Sequence, residues 1–147
     1  MQAILFVIMA IIAGILIPVQ AGLNAQLGNA LKSPLYGALV SFIIGTLGLL
    51  AYCLLSGVDF GTFRQSSQLP WYYYTGGIMG AFFVITLIVA PPTLGMAFTL
   101  GITIAAQLAF GLLMDHFGWF GAEQVNVSWG KMGGVALIVL GVILLRN

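Results

Sequence analysis

Apolar runs long enough to cross a bilayer follow one another along almost the whole chain, and this limits the fold more than any other feature. A spanning helix needs about 20 mostly apolar residues, because about 30 Å of hydrocarbon must be covered at about 1.5 Å per residue. Five stretches meet that length: Ala3–Leu31, Leu35–Gly57, Trp71–Ala90, Thr93–Met114 and Val127–Leu145. Pro91-Pro92 divides the third from the fourth, since proline cannot continue a helix interior but fits a first turn. Ser33-Pro34 and residues 57–70 separate the others. No strand-like alternation runs over about ten residues, which argues against an outer-membrane barrel. The first run lacks a basic leading segment and feeds into further spans, so a cleaved signal peptide is not expected. The expected fold is an all-α membrane protein, with a single five-helix transmembrane domain over residues 1–147.

Charge leads to the same place. The chain holds four Lys or Arg and three Asp or Glu in 147 residues, and 61% of it is hydrophobic. A soluble domain is about one quarter charged, and so few charges cannot solvate a globular surface. That excludes a soluble enzyme and a disordered linker. A net charge of +1 offers no field for phosphates, so no nucleic-acid partner is expected. Cys53 is the single cysteine and lies in an apolar run, which leaves no disulfide framework and no cysteine-based metal site. Neither a nucleophile with its base nor a metal-ligand cluster is present, so no enzyme activity, metal or cofactor is expected.

Orientation follows from the basic residues near the span ends. With five spans, Arg64 and Lys131 fall on one side and Lys32 and Arg146 on the other, taking Lys131 to lie at the mouth of the fifth helix. An even split gives no bias. It fits chance among very few charges, with topology fixed by another signal, and it equally fits insertion in both orientations.

No ionisable residue lies at the centre of a span, so uncharged polar groups must build any site. In the first helix Pro18 removes a backbone hydrogen bond, frees the Gly14 carbonyl and predicts a kink. Gln20 and Asn24, four residues apart, share a face just beyond it. Amides at that depth must face protein or a cavity, whether to bind a substrate or to hold helices together. In the fourth helix Gly95, Thr99, Thr103, Gln107, Gly111 and Asp115 recur at every fourth position and form a shallow polar spiral. The threonine hydroxyls can bond their own helix carbonyls, so this stripe fits close packing as well as a cavity wall. Gln107 has more hydrogen-bonding capacity than the backbone can absorb and is the better candidate for a cavity. Asp115 sits at a helix C-terminus, where the macrodipole disfavours an anion, either as a coupling carboxylate or as the solvated start of a loop. His116 beside it reads as an interfacial residue. Gly37, Ser41 and Gly45, Gly76 or Gly77 with Gly80, and Gly134 with Gly141 read as sites of close helix approach, with Ser41 able to offer a hydroxyl to a cavity. The aromatic residues at the span ends read as an interfacial belt.

Several separated motifs together resemble a known family. They are Pro18-Val19-Gln20-Ala21-Gly22-Leu23-Asn24-Ala25, Ser41-Phe42, Gly45-Thr46, Pro91 with Gly95, the Gln107 helix, and Asp115-His116-Phe117-Gly118. Over nearly the whole chain they resemble the YdcZ-like family of small bacterial inner-membrane proteins in the drug/metabolite transporter superfamily. The resemblance implies an exporter in the inner membrane. It also implies a family whose members occur as oppositely oriented pairs, as fusions, or as single genes whose product inserts both ways. The small multidrug-resistance relatives carry a glutamate in the first helix, whereas Ile15 to Asn24 contains no carboxylate here, so their proton/cation antiport does not carry over.

The combined expectation is a small-molecule transporter working by alternating access. Two inverted copies, or this chain with an oppositely oriented paralogue, would enclose a midplane site in ten helices. Gln20, Asn24, Ser41, Thr99, Thr103 and Gln107 are the expected substrate-binding residues, Asp115 the candidate for coupling and Pro18 the helix kink. The competing reading is a small dual-topology channel of the halide-conducting kind, which would show flux without saturation.

Overall fold

The computed structural model describes residues 2–61, 69–121 and 123–146, and every regular element among them is helical. Arg64, counted above toward orientation, lies outside the described residues. Helix α1 spans Gln2–Ala30 and α2 spans Pro34–Leu55. A 3-10 segment at Trp71–Thr75 leads into α3 at Gly76–Val89. A single turn, α4 at Pro91–Leu94, precedes α5 at Met96–Phe117, and α6 closes the chain at Trp129–Leu144. The chain divides into two compact units, Met1–Val89 and Ala90–Asn147.

Local chemistry explains the boundaries. Pro34 opens α2 at its first position and Pro91-Pro92 open α4, where the missing amide protons are not needed. Lys32 takes a left-handed conformation (φ 60°) in the turn after α1, and the Ser33 amide donates to the Gly28 carbonyl at 2.8 Å. Gly118, also left-handed (φ 60°), ends α5, and Ser128 caps α6 by accepting from the Lys131 amide at 3.3 Å. Lys131 therefore lies in the first turn of α6, at its mouth as expected.

The fourth expected helix is broken where the sequence reading ran it through from Thr93. Gly95 (φ 83°, ψ 146°) adopts a backbone that only glycine enters freely. Its amide closes α4 onto the Pro91 carbonyl at 2.8 Å, while its own carbonyl accepts the first bonds of α5. Helix α1, by contrast, runs continuously through Pro18.

Four stretches, Gln2–Ala30, Pro34–Leu55, Trp71–Val89 and Met96–Phe117, are long and apolar enough to cross a membrane. The 16-residue α6 is apolar but shorter, about 24 Å at the usual rise. Leu49, Leu54, Met79 and Leu137 are all more than 60% exposed, an apolar surface that only lipid or another protein could cover.

Small residues set the packing of the first unit. Ala21, Asn24 and Gly28 are buried on α1 against Gly37 and Ala38 on α2. A Cβ added at Gly37 would overlap the Asn24 carbonyl oxygen, and one at Gly28 would stand 3.0 Å from the Pro34 Cα. The two backbones thus cross in direct contact. Helix α3 packs on both through its buried Leu87 and Ile88, and Gly80 faces the Phe42 ring. In the second unit Gly101 admits Val142, whose Cγ2 would lie 2.9 Å from an added Cβ. At Gly45, Gly76, Gly77, Gly134 and Gly141, expected at close approaches, an added Cβ would meet nothing among the described residues.

Candidate functional site

The crossing of α1 and α2 places three of the expected residues together. One turn before the contact at Asn24, Gln20 reaches across to α2, and its Nε2 donates to the Ser41 hydroxyl at 3.1 Å. Gln20, Asn24 and Ser41 all line a cavity of about 660 Å³ between the two helices. Its remaining walls are apolar, with Leu16, Ile17, Leu23 and Leu27 from α1 and Val40 and Ile44 from α2 among them. A second space of about 220 Å³, bounded also by Thr46 and by Val84 of α3, shares Gln20 and Ser41 with the first. The bonded pair is therefore the partition between the two spaces.

Asn24 is 7% exposed, and its Nδ2 has no hydrogen-bond partner among the described residues. A buried amide donor left unpaired costs about 1–3 kcal/mol, so this position is held against its local interest. The Asn24 backbone carbonyl forms the floor onto which Gly37 packs, which fixes the side chain beside the cavity.

Thr99, Thr103 and Gln107 lie on α5, in the second unit. Thr99 is buried, and its hydroxyl donates to the Gly95 carbonyl at 2.8 Å. The Thr103 hydroxyl donates to the Leu100 carbonyl at 2.9 Å. Both protons are thus absorbed by their own helix, and only the oxygen lone pairs remain to meet another group. Gln107 is exposed midway along this 22-residue apolar helix. Asp115 is exposed at the end of α5, where its backbone carbonyl accepts from the Val125 amide at 2.8 Å. His116 is half-buried beside Phe117, and its Nδ1 has no partner among the described residues. Among the described residues no group of His, Cys, Asp or Glu could hold a metal ion.

Sequence reasoning missed Gly28 and Gly101. The signal for Gly28 was its place on the Ala21–Asn24–Gly28 face of α1, whereas nothing in the sequence paired Gly101 with Val142.

Long apolar helices, small residues at their crossings and an uncharged polar cluster beside a cavity define a multi-pass membrane protein. Comparison with known proteins then gives the family. The family described as "Putative inner membrane exporter, YdcZ" matches residues 5–144, and the chain belongs to it. The chain is also 27% identical over 131 residues to the inner membrane protein YdcZ of Escherichia coli (strain K12), covering 89% of this chain and 87% of that protein. No solved structure matches the chain with statistical significance. The protein is thus a multi-pass inner-membrane protein of an exporter family, which is not a family of enzymes.

Proposed function

We propose that the protein exports a small molecule by alternating access, as two copies inserted in opposite orientations. Each chain crosses the membrane five times, with α6 as the fifth crossing, so an inverted pair supplies the ten helices and two-fold pseudosymmetry of many carriers. Gln20, Asn24 and Ser41 contact the solute, and Thr99, Thr103 and Gln107 complete the binding surface. If protons drive the export, Asp115 is the candidate carboxylate to couple them.

The observation that carries this reading is Gln107, an exposed amide halfway along an apolar span. An amide facing hydrocarbon without a partner is costly, and a second copy supplies protein to cover it. The cavity beside Gln20 and Ser41 is likewise open along one side, so it becomes a closed site only when another surface covers it.

A pair of tandem fusions tests the reading. An odd number of crossings puts the two ends of the chain on opposite sides, so joining two copies directly forces them antiparallel. Inserting one extra transmembrane helix forces them parallel. The direct fusion should protect cells against the same toxic compounds as the single chain, and the fusion with the extra helix should not. Equal protection by both would overturn the antiparallel arrangement. Flux that rises without saturation would mark a channel instead.

A further inference from the structure

We infer that two copies of the chain meet through α5, with the Gln107 amide of one copy hydrogen-bonded to the partner's Gln107 at the membrane midplane. The inference rests on the antiparallel reading above and names the contact that joins the pair. Helix α5 has 22 residues, about 33 Å, so a bilayer core takes up nearly all of it. Gln107, at its middle, therefore falls near the midplane. Two copies inserted in opposite orientations are related by a two-fold axis lying in that plane. Under such an axis a residue at mid-depth can meet its own counterpart, and a residue nearer either surface cannot. Gln20 and Asn24 lie toward the Ala30 end of α1 and do not meet this condition.

Chemistry and sterics agree with the symmetry. An amide carries a donor and an acceptor side by side, so two of them across a two-fold axis close a ring of paired N–H···O bonds. Gln107 is exposed, and it points away from the packing inside its own unit. Gly101 packs on Val142 of α6, and Gln107 lies about 240° further round α5 at 3.6 residues per turn. One turn to either side of Gln107, on the same face, stand Thr103 and Gly111. An added Cβ at Gly111 meets nothing among the described residues, and the Thr103 hydroxyl is turned back to the Leu100 carbonyl at 2.9 Å. Both flanks are thus small and leave no hydroxyl proton in need of a partner. In an antiparallel crossing at Gln107, Thr103 of each copy lies against the partner's Gly111, and the backbones come close enough for the amides to meet. Each amide keeps one N–H and one lone pair beyond the ring, so the pair also offers a donor and an acceptor to a solute at the midplane.

Cysteine crosslinking in native membranes tests the contact, with Cys53→Ala in every chain and two affinity tags to tell the copies apart. Under a membrane-permeant oxidant, Gln107→Cys should form a disulfide that joins the two tags. Thr103→Cys in one chain and Gly111→Cys in the other leave both glutamines in place, and this pair should crosslink as well. Thr103→Cys should not crosslink with itself, because antiparallel copies hold those positions about 12 Å apart along the helix, beyond the reach of a disulfide. Gln107→Leu should raise the dissociation constant of the pair roughly tenfold, as expected for losing two interhelical side-chain bonds. Energy transfer between labelled copies in liposomes reads that change, and unchanged association would overturn the amide pairing. Crosslinking of Thr103→Cys with itself and of Gly111→Cys with itself would mean parallel α5 helices. That result would overturn both the contact and the antiparallel reading. Absence of any crosslink between copies through α5 would overturn the contact whatever the orientation, since the tandem fusions report on orientation separately.

Discussion

The Asn24 carbonyl and the Gly37 Cα meet at the crossing of α1 and α2, with no room for even one methyl group between them. One turn away on each helix, Gln20 and Ser41 are hydrogen-bonded across the same pair and line the cavity. Gly37→Ala should therefore cost about 1–3 kcal/mol, the usual range for forced overpacking. Gly22→Ala, where an added Cβ meets nothing, should change stability by no more than about 0.5 kcal/mol. Unfolding in detergent mixtures measures both. Equal costs would mean that the close approach contributes little.

Gly95 gives an independent prediction. Its φ of 83° and ψ of 146° are accessible to glycine and strained for any other residue. Gly95→Ala should destabilise the second unit by about 1–3 kcal/mol, since the joint between α4 and α5 must hold that conformation. Hydrogen exchange at the Thr99 amide, which bonds to the Gly95 carbonyl at 3.1 Å, should rise in the variant. Unchanged protection there would show that the joint can be made another way.

Breaking the Gln20–Ser41 bond should matter more for transport than for folding. Side-chain hydrogen bonds between helices in a bilayer average about 0.6 kcal/mol, so Ser41→Ala should leave the fold nearly as stable. The same change removes part of the wall between the two cavities. Export should fall several-fold at unchanged protein level, by cell-based efflux against a toxic substrate. Full activity in Ser41→Ala would remove the serine from the site.

Lys32 gives one prediction about stability and, under the proposed dual insertion, a second about orientation. It holds a left-handed backbone at φ 60°, where glycine carries no Cβ strain, so Lys32→Gly should gain about 1 kcal/mol. The same substitution leaves Arg146 alone against Arg64 and Lys131, and the more basic side should then face the cytoplasm more often. Compartment-specific labelling should show the two populations shift together with the gain in stability. A stabilised variant with unshifted topology would separate the two effects.

Much of the fold was legible because hydrocarbon imposes length and composition on each span. Ser33-Pro34 and Pro91-Pro92 marked boundaries through chemistry that acts locally, and the four-residue spacing of Gln20 and Asn24 put both beside one cavity. What escaped depended on contacts distant in sequence or on backbone conformation. Gly95 belonged to the polar stripe by spacing, yet its φ makes it the point where that helix begins. Thr99 and Thr103 were legible as polar, but the bonds of their hydroxyls to the Gly95 and Leu100 carbonyls were not. Gly45 and Gly141 looked like packing sites, yet an added Cβ at either meets nothing among the described residues.

The antiparallel arrangement is the centre of the account, and topology tests it most directly. Cysteine would be placed at Gln124, in the exposed segment before α6, or appended after Asn147, each in a Cys53→Ala background. Intact cells would be treated with a membrane-impermeant thiol reagent. The account predicts that about half of each variant is labelled, because both orientations are present in equal number. Complete labelling of one variant and none of the other would contradict it.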